Sequence, residues 1–317
     1  MSRLTVVGSF AVGLTIRTPE MPIFGQTILG SDFDFGPGGK GSNQAVGLAR
    51  LGMDVGLVTC VGKDELANVA LNLYREEGVS SDFVTQDDRR ATGAGVIVLN
   101  SEGNNFIILD MGANELMDRA FVEKASDQIA ASDVVMAVLE IPVEAACTAM
   151  EIGKAGGAKT ILNPAPATPL PDHAFANVDF LTPNESELRI LLGLPADDPT
   201  GTRDLAMALR ERGVGTVIVT MGPNGALVLG PDTDTVVPSP QVEVVDTTGA
   251  GDAFNAGFAA ALAEGHPLLS SIAVGTAAGA HACTRLGVIP SLATRRELAD
   301  FSAQTNHLNK GSLNETW

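Results

Sequence analysis

The 317-residue sequence predicts a three-layer α/β/α fold with a mostly parallel central sheet and a small β-sheet lid. Three observations predict it. Short β-like runs alternate with helical segments along most of the chain. The β-like runs are near-continuous in Val, Ile and Leu, as strands covered on both faces must be. Two segments break the alternation with β-like, non-helical sequence, which is what an appended small sheet would contribute.

Taken in order, Leu4–Phe10 reads as a strand, Lys40–Leu51 as a helix, Val55–Val61 as a strand and Asp64–Glu77 as a helix. Asp133–Leu139 (strand), Val143–Ala155 (helix), Lys159–Leu162 and Val178–Leu181 (strands) continue the pattern. Glu185–Leu192 and Arg203–Arg212 read as helices and Thr216–Thr220 as a strand. After Pro240 the sequence turns helical over Ala250–Ala263, Leu268–Leu286 and Thr294–Phe301. The excursions are Leu14–Phe35, punctuated by Pro and Gly, and Ala91–Asp110. The second reads as a hairpin of Gly93–Leu99 and Asn105–Asp110 about an Asn/Ser/Gly turn. The expected organisation is one domain over residues 1–301, with lid segments at about 14–35 and 91–110 and a polar tail over 302–317. Such a lid could close over a substrate and exclude water; ordinary surface hairpins are the plainer alternative.

Hydrophobic residues make up 45% of the chain, enough for a full core. No apolar run approaches the roughly 20 residues of a membrane span. Met1-Ser2-Arg3-Leu4 leads straight into β-like sequence without a signal-peptide pattern. Cys60, Cys147 and Cys283 are far apart and odd in number, which fits a reducing compartment, so a cytoplasmic location is expected. With the four histidines they show no metal-ligand spacing. A net charge of −18 without a Lys/Arg cluster argues against a nucleic-acid partner and otherwise serves solubility.

Four segments carry chemistry. In Asp246-Thr-Thr-Gly-Ala-Gly-Asp252 a β-like run passes into an Ala-rich helix. The small residues Gly249, Ala250 and Gly251 let backbone N–H groups approach a ligand, and the helix start adds free N–H groups and its positive dipole end. That is a site for a transferring anion. Asp252 beside it is suited to accept the proton of an attacking hydroxyl. Its plainer reading is a helix N-cap. Phe35-Gly-Pro-Gly-Gly-Lys40-Gly-Ser-Asn43 is a Gly-rich turn opening a helix. It lies too late after the first strand for a dinucleotide fingerprint, and Gly41 after Lys40 is not a Walker A loop. Lys40 and Asn43 would point from the first turn toward a polyhydroxylated ligand, or Lys40 is simply solvated. Thr182-Pro-Asn184-Glu185-Ser-Glu187 puts Asn184 and Glu187 on one helix face, as hard oxygen ligands for Mg²⁺ or as a capping box. Thr220-Met-Gly222-Pro-Asn-Gly225 is a tight turn between strands, fit to lie against a nucleotide or only to reverse the chain.

Together these segments resemble the ribokinase-like carbohydrate kinases, the family also named for the minor phosphofructokinase. The resemblance runs from Val6 to about Phe301 with the motifs in the family's order. Met111-Gly-Ala-Asn114, Leu139-Glu140, Asn163-Pro-Ala-Pro166 and Thr284-Arg285 bring it near the ribokinase group. It implies ATP-dependent transfer of the γ-phosphoryl to a hydroxyl of a sugar or sugar-like acceptor. Asp252 is then the base and the backbone of Gly249, Ala250 and Gly251 the anion hole. Gly39, Lys40, Asn43 and Glu140 would bind the sugar. Asn184 would serve the phosphates and Glu187 Mg²⁺ through water, while Thr220, Gly222 and Gly225 line the nucleotide. A monovalent cation, K⁺, would be held by Asp246, Thr248 and the carbonyls near Ala282, Arg285 and Gly287, with Ser291. The lid would also form a homodimer contact. One departure stands out. The family's ribokinases place an Asn and an Asp, two apart, after the first strand to grip sugar hydroxyls, and this chain has Ala11 and Gly13 there. Losing hydroxyl-binding groups changes the preferred substrate, so an acceptor other than D-ribose is expected. A nucleoside or sugar acid as acceptor, or a non-catalytic metabolite-binding regulator on the same fold, remain the alternatives.

Overall fold

In a computed structural model, residues 2–102 and 104–308 are described, and their strands form two sheets. The strands are β1 (Arg3–Val7), β2 (Ala11–Thr18), β3 (Ser31–Gly38), β4 (Asp54–Gly62), β5 (Ser80–Asp87), β6 (Gly93–Asn100) and β7 (Asn105–Asp110). They continue with β8 (Val134–Val138), β9 (Lys159–Asn163), β10 (Phe180–Leu181), β11 (Thr216–Thr220), β12 (Ala226–Leu229) and β13 (Asp234–Val237). The large sheet has nine strands in the order β13-β12-β11-β10-β9-β8-β1-β4-β5. All its pairs are parallel except β11–β12 and β12–β13 at one edge. Helices cover both faces, so the expected α/β/α layering is present.

The layering follows from the side-chain period of two. Val6, Met136, Ile161 and Ile218 point to one core, with the helices Lys40–Arg50, Glu65–Glu77, Ala250–Ala263 and Leu268–Ala282. Their neighbours Val7, Val135, Leu162 and Val217 point to the other, with Val143–Gly156, Glu185–Leu191 and Thr202–Glu211. A strand such as Val134–Val138 is buried at every residue, which is why it reads as an unbroken apolar run. The helices Ala250–Ala263 and Leu268–Ala282 pack through small residues: a Cβ on Gly257 would lie 2.9 Å from that of Ala278. Among the described residues no helix is long and apolar enough to cross a membrane.

The small sheet has the order β3-β2-β6-β7. Its strands leave the large sheet in two excursions, between β1 and the Lys40 helix and between β5 and β8. The expected hairpin is there as β6 and β7, antiparallel, with Ala94 opposite Asp110 and Leu99 opposite Asn105. Hydrogen bonds at Asn114 hold the crossing from β1 to β2: its Oδ1 accepts from Phe10 N and its Nδ2 donates to Phe10 O and Met111 O.

Several boundaries differ from expectation. The strand expected over Leu4–Phe10 stops at Val7. There the chain passes under the Lys40 helix so closely that a Cβ on Gly41 would lie 2.5 Å from Ser9 N. The helix expected over Leu268–Leu286 ends at Ala282, where Cys283 O turns to accept from Val245 N and Asp246 N. β5 was not expected at all. It is an edge strand of the large sheet with a largely polar, partly exposed sequence, so it lacks the apolar signal. The last helix runs Arg295–Leu308, so the start of the segment expected as a polar tail is helical, and 309–317 lie outside the described residues.

Candidate active site

The carboxyl ends of β1, β8 and β10 lead directly into Gly8–Ser9, Leu139–Glu140 and Thr182, and β9 and β11 end on Asn163 and Thr220. In open α/β sheets this edge is where ligands bind. Two helix N-termini meet there, at Lys40 and at Ala250.

The Lys40 helix begins against the backbone leaving β1. Its N-cap, Gly39, has φ 91°, and a Cβ there would lie 2.7 Å from Phe10 Cα. Only glycine meets both demands. The close approach lets Ser9 Oγ donate to Glu140 Oε2 at 2.6 Å and Lys40 N donate to the same oxygen at 2.8 Å. Burial works against the Lys40 ammonium, but attraction from Asp252, Glu140 and Glu187 outweighs it and lifts its pKa above the ordinary lysine value. Lys40 therefore stays charged among three carboxylates.

Asp252 lies in the first turn of the helix Ala250–Ala263 but does not cap it. The N-cap is Gly249, in the left-handed region at φ 80°, with no side-chain cap bond. The carboxylate of Asp252 is instead turned into the interior, 5% exposed. Asn43 Nδ2 donates to its Oδ2 at 2.8 Å and Gln44 Nε2 to its Oδ1 at 3.0 Å. Burial pushes the Asp252 carboxyl above its ordinary pKa; Lys40 and the two amides pull the other way without cancelling it. The plain reading as an N-cap is thus set aside by its contacts.

Beside it, Ala250 N bonds to Thr247 O and Ala253 N to Gly249 O, while the N–H groups of Gly251 and Asp252 have no partner among the described residues. Gly251 is exposed and faces open space. Free N–H groups at a helix start attract an anion. The loop is braced from behind: Asn255 Nδ2 donates to Gly251 O at 2.8 Å and Thr182 Oγ1 to Asn255 Oδ1 at 2.7 Å. Asn163 Nδ2 donates to Thr182 O, and its Oδ1 accepts from Gln44 Nε2.

Asn184 and Glu187 form the capping box. Glu187 N donates to Asn184 Oδ1 and Asn184 N to Glu187 Oε2, both at 2.8 Å. Burial raises the Glu187 carboxyl, opposed by the Asn184 N–H and by Lys40. Asn184 also bridges in parallel to Thr220, which brings these two segments together. Gly222 is exposed at the start of a 3₁₀ turn, Gly222–Asn224. A Cβ on Gly225 would lie 2.0 Å from Val237 O, so that glycine is required by packing.

Thr248 N donates to Asp246 Oδ1 at 2.9 Å and Gly287 N to its Oδ2 at 3.1 Å. Burial raises the Asp246 carboxyl, and these bonds, with attraction from Arg17, outweigh it and bring it below the ordinary range. Asp246, Thr248 and Gly287 are thus together. Ala282 O accepts from Arg285 N, the Arg285 side chain pairs with Glu297, and the buried Ser291 donates its hydroxyl to Val288 O while its carbonyl meets His281 Nδ1. Among the described residues no three His, Cys, Asp or Glu side chains converge to hold a metal ion.

Ser9, Gln44, Thr182 and Asn255 have no role assigned from the sequence, although Thr182 and Asn255 lie in the motifs it marks. Gln44 directly follows Asn43, which is the one signal that could have found it.

The model of the pfkB family carbohydrate kinases matches residues 1–295. The chain is 35% identical over 298 residues to a ribokinase of Haemophilus influenzae, covering 94% of this chain and 97% of that one. It is 37% identical over 257 residues to a deoxyribokinase of Salmonella typhi, covering 81% and 84%. The structure of an Arabidopsis thaliana ribokinase complexed with ribose and ATP superposes with a TM-score of 0.89 at 29% identity, covering 95% of this chain and 99% of that one.

Proposed function

The chain belongs to the pfkB family of carbohydrate kinases, and from that premise we propose how its site works and which acceptor it prefers. It is an ATP-dependent phosphotransferase that acts on an alcohol group of a sugar-type acceptor. The observation that carries the reading is a buried carboxylate, Asp252, next to unpartnered N–H groups at a helix start. Asp252 takes the proton of the acceptor hydroxyl as attack begins. The Gly249–Gly251 backbone stabilises the transferring phosphoryl. Phosphoryl transfer asks a protein chiefly for such positioning and charge stabilisation. Gly39, Lys40, Asn43 and Glu140 orient the acceptor; Asn43 Oδ1 is buried and has no partner among the described residues, free to accept from a hydroxyl. Asn184, Thr220, Gly222 and Gly225 line the nucleotide.

Each ion is proposed at a site shared between the protein and other ligands. Glu187 would hold Mg²⁺ through water, and that ion supplies neutralisation of the nucleotide phosphates. K⁺ would sit where Asp246 and Thr248 meet the carbonyls of Ala282, Arg285 and Gly287, with Ser291 beside them. Hydrogen bonds between the Asp246 loop and 283–287 support that pairing. The three unpaired cysteines support a cytoplasmic location.

The acceptor is proposed to differ from D-ribose. Cross-strand partners share a face of a sheet. Ala11 is opposite Gly38 and Gly93, and Gly13 is opposite Gly36 and Gly95. That face therefore offers backbone where hydroxyl-binding side chains would be needed. With three carboxylates around Lys40, a phosphorylated acceptor is disfavoured as well. ADP release with MgATP, in K⁺ and in Na⁺, across D-ribose, 2-deoxy-D-ribose, fructose, a keto-deoxy sugar acid, fructose 6-phosphate and nucleosides tests this. We expect one acceptor to exceed D-ribose about tenfold or more in kcat/KM, as a single lost hydroxyl contact allows. D-ribose as the best acceptor would overturn the proposal.

The small sheet is proposed as a lid and as a homodimer contact. Its opposite face carries Leu14, Phe35, Val96, Val98, Phe106 and Ile108. Phe106 is 59% and Ile108 70% exposed, an apolar face that a second copy would cover. Replacing both with Asp should convert a dimer to a monomer in sedimentation velocity. A monomeric parent protein would end this proposal.

A further inference from the structure

We propose that Gln44 is a positioning residue for Asp252, holding the carboxylate in a set plane and in its charged form. The inference rests on reading Asp252 as the base. Asn43 and Gln44 are consecutive, yet each donates to a different oxygen of the same carboxylate, Oδ2 and Oδ1. Two donors on different oxygens define the plane of the group and leave one lone pair on each oxygen to face the acceptor.

The direction of each bond in the chain is forced. An ionised carboxylate only accepts, so the Gln44 amide must present Nε2 to it. The second hydrogen of that nitrogen goes to Asn163 Oδ1 at 3.0 Å. Asn163 then has its own Nδ2 free for Thr182 O. Gln44 is fully buried, and its Oε1 has no partner among the described residues. A side chain needed only to fill space would be better apolar than carry an orphan carbonyl. The nitrogen is what the site uses. Asn163 ends β9 and Thr182 follows β10, so the fork ties the base to the large sheet.

The chemistry gives the sign. Burial, and after it the Glu140 carboxylate, favour the neutral form of Asp252, in which it could not accept a proton; the Lys40 ammonium favours the charged form. Both hydrogen bonds favour the charged form. Removing Gln44 must therefore raise the pH at which Asp252 loses its proton. It must also loosen the aim of the base, at a cost of roughly 10-fold or more in turnover, since small misplacements of a reacting group are expensive.

Gln44→Met keeps the length of the side chain without donors; Gln44→Leu is apolar and smaller, adds no charge, and serves should the Met variant not fold. Protein labelled with ¹³Cγ-aspartate is titrated by NMR, the Asp252 signal being the one missing from Asp252→Asn. We expect its midpoint to move to higher pH in either variant, with the acid limb of kcat/KM moving with it for D-ribose as probe acceptor and MgATP binding within twofold. A midpoint that stays in place overturns the proposal, even if turnover falls. The titration needs no turnover, so an active Asp252→Asn would refute the base reading without deciding this test.

Discussion

Replacing Asp252 by Asn is expected to lower turnover roughly 10²–10⁴-fold while leaving MgATP binding intact and raising the melting temperature. The loss follows from removing the carboxylate that Asn43 and Gln44 hold at the start of the helix that follows Gly249. Asn keeps the shape and can still bond Asn43 or Gln44 through its own amide. The gain in stability follows from the raised pKa of the buried carboxyl. A carboxyl whose folded pKa lies above its unfolded value binds its proton more tightly when folded. Stability therefore falls as pH rises from the unfolded value through the folded one, and above both the charged group is a constant penalty. The Asn variant escapes that penalty, so its advantage in calorimetry should be full at neutral pH and should shrink toward acid pH. Near-parental turnover in Asp252→Asn would remove Asp252 from the chemistry. A lower melting temperature at neutral pH would show that Lys40 depends on Asp252 more than burial opposes it.

Gly249→Ala should be the next most damaging change. Gly249 has φ 80°, where an L side chain costs about 1–2 kcal/mol. Its Cβ would also lie 2.6 Å from Val288 Cγ1 and 3.3 Å from Val288 Cβ. The loop must shift, and its N–H groups shift with it. Loss of one well-aimed N–H donor to a developing anion costs roughly 10²–10³-fold in kcat, which is the drop expected here. Adding Val288→Ala relieves the contact but not the backbone angle. The double variant should regain part of the melting temperature and little of the turnover. Gly249→Ala with reduced stability and full turnover would show that this backbone does not hold the phosphoryl group.

Some of this molecule is legible locally. The parallel sheet shows itself because Val134–Val138 and residues 217–219 are buried on both faces and are apolar throughout. β5 is hidden for the opposite reason, since Ser80–Asp87 pairs on one side only and tolerates polar residues. Asp252 and its glycines are legible because the anion site is made by the backbone of one short segment. Asn184 and Glu187 are legible as a pair, and the pair they form is the capping box.

What Asp252 does is not local. A carboxylate in the first turn of a helix can cap it, face solvent or turn inward, and the sequence from 246 to 258 is the same in each case. The choice is made by Asn43 and Gln44, more than 200 positions earlier, and by Asn163, whose amide sets the direction of Gln44. The sequence by itself determined the layers, the order of the motifs and the chemistry available at the helix start, because each depends on the period or composition of one segment. Only the tertiary structure decided which oxygen meets which amide and which carboxyl is buried, because hydrogen-bond direction and desolvation are set by groups brought together from distant parts of the chain.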